Sequence, residues 1–327
     1  LAEPAIVGLS GVGLSSSERD LLRHYVPCGV ILFARNITDP VQLADLIASV
    51  REAVPDVLLM VDQEGGRVAR LRPPHWQAHP PARAIGELHA RDAAAGLRVA
   101  WITGALIGAQ CRDAGFDVVA APVLDVADPA GHNVIGDRAF SADPQAVAAL
   151  GEATARGLLA AGVQPVGKHA PGHGRARADS HMEMPVLADV SEADLTPFRQ
   201  NAWLPWMMTA HIRYTARDMD HPATQSPTLV RLIRGLGFDG VLTTDDLAMN
   251  ALTGTPGERA VRALSAGCDI ALHCSGVLAE SASVLAAIPP MTPAARARLE
   301  AAAAMAATAR TELDIPALTA ERASVLP

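Results

Sequence analysis

Aromatic residues are nearly missing from this chain: tryptophan, tyrosine and phenylalanine together make up 3% of its 327 residues. That scarcity excludes a long cleft paved with sugar-stacking rings and leaves alanine, valine, leucine and isoleucine to fill the core. Positive charge is also short. The formal net charge is -8 and no basic stripe offsets it, which argues against nucleic acid or an anionic membrane surface as a partner. Only four cysteines occur, Cys28, Cys111, Cys268 and Cys274, without a CxxC or other metal-ligand spacing. The last two lie in an apolar run and read as buried thiols rather than a disulfide, a pattern suited to a reducing compartment. The longest apolar stretch, Val99 to Ala109, falls well short of the roughly 20 residues that span a bilayer. The chain opens on an acidic residue and a proline instead of a basic segment, so no signal peptide is read and a cytoplasmic location is expected.

Hydrophobic residues are plentiful, at half of the chain. They fall into short runs that alternate with longer helix-patterned segments. The runs are Ala5–Ser10, Val30–Ala34, Val57–Asp62, Val118–Asp125, Gln164–His169, Trp206–His211, Val241–Asp245 and Asp269–Cys274. Several are almost continuously apolar, as expected for parallel strands buried on both faces. The intervening helices are expected over Ser17–Tyr25, Pro40–Ala53, Pro81–Ala114, Pro144–Ala161, Glu192–Asn201, Thr228–Leu236, Gly257–Ala266 and Gly276–Ala287. Asp39-Pro40 and Asp143-Pro144 supply good helix-start chemistry. Eight strand–helix units point to an α/β chain folded as a single (β/α)8 TIM-type barrel. The rival, an open doubly wound sheet, usually carries a glycine-rich phosphate turn after its first strand. Gly8, Gly11 and Gly13 do not have that spacing. No linker or repeat divides the chain, so one catalytic domain over 1–327 is expected. An outer closing helix begins near residue 293, and the tail from Leu313 is read as either an ordered arm or a frayed end.

Residues at the C-terminal ends of barrel strands face the active site. Those ends supply Asp62, Asp125, Lys168–His169, His211 and Asp245–Asp246. A single polar strand end signals only arrival at solvent, but a convergent set of carboxylates, a lysine and histidines suits a neutral polyhydroxylated substrate. In GKHAPGHGRARADSH, Asp179 and His181 lie two apart, close enough for a carboxylate to orient an imidazole as acid/base. Gly172 and Gly174 are expected to let this loop move. His169, His173 and His181 also invite a metal reading, although their spacing matches no helical zinc face; a plain surface loop is the bland alternative. In GVLTTDDLAMN, the adjacent Asp245 and Asp246 should point to opposite faces, one toward the site and one into the scaffold. An Asp-Asp strand end also occurs in Mg²⁺ sites. In VDQEGGRVARLR, Asp62 is expected to bond hydroxyls, while Arg70 either holds that carboxylate or reaches the ligand; a surface ion pair is the alternative. Arg138 lies in the turn of NVIGDRAFSADP.

These segments, in the order VDQEGGRV, IGDRAFSADP, GKHAPGHGRARADSH, MTAHI and TTDDLAM, together with GVILFARNITDP near the start, resemble glycoside hydrolase family 3. Within it they look like the single-domain bacterial β-N-acetylglucosaminidases of peptidoglycan recycling. The resemblance runs from about Ala5 to His273 and implies double displacement on terminal β-linked N-acetylglucosamine. Asp245 would be the nucleophile and His181 the acid/base, its ring held by Asp179. Asp62, Arg70, Arg138, Lys168 and His169 match the residues that hold the sugar, with Arg67 and His211 at the site's edge. Lys168 is expected to help keep Asp245 ionised. Neither cofactor nor metal is implied. The partner would be a small sugar fragment carrying N-acetylglucosamine, and the protein a monomer or weak dimer. Most retaining glycosidases use two carboxyls, so a histidine in place of the second departs from that template.

Two features differ from the usual family pattern. Ala170 stands where a larger apolar residue is common, and Arg175 and Arg177 are placed to meet an anionic leaving group, with a solvated loop as the alternative. The chain ends near the close of the barrel, so no second domain is expected. The nearest rival keeps the fold but makes phosphate the acceptor, giving a β-N-acetylglucosaminide phosphorylase. A metal-dependent hydrolase using His169, His173 and Asp245, and a non-catalytic sugar-binding barrel, are more distant.

Overall fold

The computed structural model describes residues 2–326. Eight parallel strands form the expected (β/α)8 barrel: β1 Glu3–Gly8, β2 Pro27–Leu32, β3 Leu58–Val61, β4 Val118–Val119, β5 Gln164–Ala170, β6 Trp206–Thr209, β7 Val241–Thr243 and β8 Ala271–His273. β1 pairs with both β2 and β8, and a parallel bridge from Thr243 to Ile270 closes the remaining seam. Side chains alternate as the pleat requires. Ile6, Ile31, Met60, Val166, Trp206 and Leu272 fill the barrel interior, while Val7, Val30, Leu59, Val61 and Leu242 pack outward under the helices.

At the lower end, Trp206 is fully buried and donates its indole N–H to Gln164 at 2.8 Å. The helix Pro293–Ala309, expected on the outside, lies across this N-terminal mouth. Its Leu299 and Ala302 join the interior cluster, and Arg298 reaches Asp239 and Asp269 at the strand starts, both at 2.9 Å. The barrel is therefore stoppered below and open above.

Two expectations need correction. The segment 81–114 is two helices, Ala82–Arg91 and Ala93–Asp113. Asp92 between them has extended backbone and caps the second helix through Ala95 N–H, which is a stronger local demand than helix continuity. β4 is a two-residue ladder instead of a strand to Asp125. Pro122 has no N–H to give the ladder, so residues 120–125 follow an irregular path bonded to β3 and β5 at isolated points. Of the two readings of the tail the ordered one holds, because Ile315–Val325 is a helix capped by Asp314. All four cysteines are buried free thiols. Among the described residues, no helix is long and apolar enough to cross a membrane.

Candidate active site

The open upper end holds a pocket of ≈ 250 Å³ lined by Asp62, Lys168, His169, His181, Asp245 and Phe33, among others. One wall is built from ion pairs. Asp62 follows β3, and its two oxygens meet Lys168 Nζ at 3.0 Å and Arg70 Nη2 at 3.1 Å. Glu64, two residues on and on the same side, receives Lys168 at 2.6 Å and a two-pronged Arg138 at 2.8 Å on each prong. Gln63 points the other way. Its Oε1 accepts from the backbone N–H of Arg70 and Leu71, and its Nε2 donates to Leu71 O. One side chain thereby folds the Glu64–Arg70 turn back on its own strand.

Lys168 is 2% exposed, so its charge is tolerable only because two carboxylates face it. Burial alone would raise the pKa of Asp62, but Lys168 and then Arg70 outweigh it and hold the carboxyl well below the usual range. Glu64 is also buried, and Arg138 and Lys168 bring it down to about 2. Burial opposes the Lys168 charge, yet Asp62 and Glu64 prevail and raise its pKa. Three cations and two carboxylates stay ionised together.

A second chain of bonds runs beneath the pocket. Asp125, expected among the pocket residues, is wholly buried behind it. It accepts the His169 ring Nδ1–H at 2.7 Å and the backbone N–H of His169 and His173 at 3.2 and 2.7 Å. His169 is thus left with Nε2 for the pocket. Burial lowers the pKa of His173 to about 4 against the pull of Asp125, and the neutral ring meets Ser180 Oγ at 3.0 Å. Ser180 lies between Asp179 and His181. There the Asp179 carboxylate accepts the His181 Nδ1–H at 2.7 Å and the His181 backbone N–H at 2.9 Å. The His181 side chain is 61% exposed, with Nε2 as its free nitrogen.

Asp245 follows β7 and lines the pocket. Its carboxyl is raised by burial but lowered more by His169, His211 and the Asp246 backbone N–H, so it stays ionised. Lys168, expected to supply that support, is spent on Asp62 and Glu64. Asp246 turns into the scaffold and accepts the backbone N–H of Ala248 and Cys274. His211 lies behind the pair and donates Nε2–H to Asp246 O at 2.9 Å, while its Nδ1 meets Thr224 Oγ1 at 2.7 Å. Burial lowers the pKa of that ring, against the pull of Asp245.

The fold therefore brings Asp62, Arg70, Arg138, Lys168, His169, His181 and Asp245 to one pocket, with Asp179 behind His181. Arg138 does so while holding Glu64. Arg67 anchors a neighbouring loop, donating to the carbonyls of Asn133, Val134 and Ile135 and pairing with Asp137. Arg175 does not face outward; it bonds Asp194 and Asp189 O, which leaves Arg177 as the exposed cation of that loop. Gly174 is required for packing rather than freedom, since a Cβ there would lie 1.7 Å from Val126 O. Glu64 was missed. Its signal was the two-residue offset from Asp62, which puts both carboxylates on one side of an extended segment.

Comparison with known proteins gives the family and the fold. The glycosyl hydrolase family 3 N-terminal domain model matches residues 6–308. A β-hexosaminidase of Bordetella avium is 41% identical over 285 residues, covering 83% of this chain and 80% of the relative. One from Chromobacterium violaceum is 39% identical over 307 residues, covering 91% and 85%. Among solved structures, NagZ from Neisseria gonorrhoeae in complex with N-trifluoroacetyl-D-glucosamine superposes with a TM-score of 0.88 at 30% identity, covering 100% of this chain and 98% of that one. A β-N-acetylhexosaminidase from Beutenbergia cavernae gives 0.77 at 28%, covering 98% and 96%.

Proposed function

The chain belongs to glycoside hydrolase family 3, and from that membership we propose that it is a retaining exo-β-N-acetylglucosaminidase acting on peptidoglycan fragments. The substrate would be N-acetylglucosamine linked to 1,6-anhydro-N-acetylmuramic acid, with or without peptide, in the cytoplasm. The observation that carries the reading is one pocket holding two chemically unlike groups: a half-buried, ionised carboxylate at Asp245 and an exposed, carboxylate-tethered imidazole at His181. A pocket of ≈ 250 Å³ is at the small end for ligand sites, which suits removal of one terminal sugar.

The reaction follows from those environments. Asp62, with Lys168 and Arg70 fixing its orientation, accepts hydroxyls of the terminal ring, and His169 and Arg138 bound the same space. Asp245 attacks the anomeric carbon as the bond to the leaving oxygen breaks, and the Nε2–H of protonated His181 passes to that oxygen. Asp179 holds the ring through Nδ1 at 2.7 Å, which leaves Nε2 for the leaving oxygen. In the second step neutral His181 takes a proton from water, which attacks the glycosyl–Asp245 ester and restores the carboxylate. The retained configuration is the outcome of two inversions.

The test is release of 4-nitrophenol from its β-N-acetylglucosaminide and its β-glucoside in phosphate-free buffer. Cleavage of the first alone supports the reading, and cleavage of neither, with phosphate absent and then added, overturns it. Trapping a glycosyl ester on Asp245 with a 2-fluoro or 5-fluoro sugar would test the covalent step separately.

A further inference from the structure

The last helix contains a charge that nothing ordinary explains. Arg322, in Ile315–Val325, is 5% exposed, and no carboxylate lies within ion-pair distance among the described residues. Burial lowers its pKa, and no acidic neighbour offsets that. A buried guanidinium without a counter-ion is costly. The neighbouring Glu321 is committed elsewhere, to a two-pronged surface pair with Arg98 at 2.7 Å on each prong. The hydrogen bond that Arg322 does make, from Nη1 at 2.8 Å, is to the ring Nδ1 of His79.

That bond fixes the state of His79. Arginine only donates, so Nδ1 must accept and the ring is neutral with its proton on Nε2. Nε2–H then donates to Gln110 Oε1 at 3.2 Å. The imidazole is clamped between the C-terminal helix and the helix Ala93–Asp113. The carbonyl oxygen of His79 accepts the Gly66 N–H at 2.9 Å, within the turn that carries Glu64, Arg67 and Arg70. Gly65 and Gly66 both have positive φ, at 99° and 55°. A Cβ on Gly65 would lie 2.4 Å from Pro80 O, and one on Gly66 2.7 Å from Pro81 Cβ. The turn that presents Glu64, Arg67 and Arg70 therefore rests directly on His79–Pro81.

We propose that Arg322 is a positioning residue for sugar binding: through His79 it sets the height of the Glu64–Arg70 turn, so the C-terminal helix is part of the substrate-binding machinery. This helix lies beyond residue 308, where the match to the family model ends. Its apolar side seats it, with Leu318 and Ile315 packed on Ile102, Ala105 and Leu106. Arg322 then transmits that seating to the turn. The effect falls on ground-state contacts to the sugar, because Asp245 and His181 sit on other loops.

The experiment compares Arg322→Met, which keeps bulk but cannot donate, with Arg322→Lys, which can, and with Glu321→Ala as a control on the same helix. Amide hydrogen exchange is followed over residues 64–71, and KM and kcat are measured on 4-nitrophenyl N-acetyl-β-D-glucosaminide. Arg322→Met is expected to speed exchange of that segment at least tenfold and raise KM about five- to tenfold with kcat within twofold. Arg322→Lys should restore both to within about twofold, and Glu321→Ala should change neither. Should Arg322→Met not fold, Gln110→Leu releases the ring from its other side and is expected to give a two- to threefold change in the same directions. Unchanged exchange in the folded variant would overturn the proposal, as would a kcat loss without a KM rise. The exchange arm rests on no assumption about substrate, so a wild-type protein without glycosidase activity would sink the proposed function and leave this inference to be decided by exchange alone.

Discussion

The two sides of the pocket are built on opposite plans. The sugar-holding wall is a buried lattice in which Lys168 touches Asp62 and Glu64, Arg138 grips Glu64, and Arg70 grips Asp62. The acid/base side is a loop whose working histidine is largely exposed and is tied by one carboxylate two residues away. The difference follows from what each must do. Groups that hold a ring gain by being fixed before it arrives, whereas an acid/base must meet first the leaving oxygen and then the incoming water.

The largest contrast is expected at Asp245. Replacing it with asparagine removes the attacking group but keeps its shape, so kcat should fall by about 10⁴-fold or more. Binding of N-acetylglucosamine, measured by calorimetry, should stay within a few-fold, and substantial remaining turnover would remove Asp245 from its role. The companion change, His181→Ala, should cost roughly 10²–10⁴-fold on substrates with poor leaving groups and much less of the glycosylation rate on good ones. Equal losses on both would argue against His181 as the acid.

Stability should separate the two sides in the reverse sense. Lys168→Met removes the cation that Asp62 and Glu64 share, leaving them Arg70 and Arg138, and should cost about 3 kcal/mol, read from urea unfolding. His181→Ala, at an exposed position, should change stability by no more than about 0.5 kcal/mol. A Lys168→Met protein as stable as wild type would mean that the lattice is not held by its charges.

How legible these two plans are in the sequence depends on the range of the interactions that make them. The barrel follows from apolar runs and helix starts, which are local, and so do the Asp179–His181 pairing and the opposite facing of Asp245 and Asp246. The breaks come where a single residue overrules a pattern. Asp92 prefers to cap a helix, and Pro122 withholds a ladder bond. Least legible are pairings between distant segments. Arg138 with Glu64, Lys168 with both carboxylates and Arg175 with Asp194 leave no trace in spacing. For that reason Lys168 is expected beside Asp245 and Arg175 near a ligand, yet both are engaged elsewhere. The Arg322–His79 contact joins residues 243 positions apart, beyond the reach of any local pattern.

A smaller effect joins the two sides through pH. His173 and His79 are both neutral in the fold, their pKa values brought down to about 4 by burial from the usual 6.5, with Arg322 adding to the shift at His79 and Asp125 opposing it at His173. Each group binds protons more readily in the unfolded chain. Their contribution is therefore complete above pH 6.5 and is lost progressively as pH falls toward 4. A shift of that size corresponds to roughly 3 kcal/mol per histidine at most. The lowered carboxylates Asp62, Glu64 and Asp245 lose their contribution only at lower pH, so unfolding at pH 7.5 and 4.5 isolates the histidines. His79→Gln should lose less stability than wild type across that interval, and an unchanged slope would mean that His79 is not buried neutral.

The smallest expected effect is the most informative about how the plans are joined. Ser180 is the residue through which the buried chain from Asp125 and His173 reaches the acid/base loop, by a single hydrogen bond of 3.0 Å. Two backbone bonds also hold that loop, from Asn250 to His181 O and from Ala251 to Ser180 O, both at 3.3 Å. Removing one neutral hydrogen bond costs about 1 kcal/mol, so Ser180→Ala should lower stability by that amount. If the bond also aims His181, kcat should fall several-fold with poor leaving groups and KM should hold, because the sugar-holding wall is untouched. A fall in stability with no change in kcat would show that the backbone bonds alone place the loop. The exposed side of the site would then owe its geometry to the Asp245 strand, and not to the buried histidine beneath it.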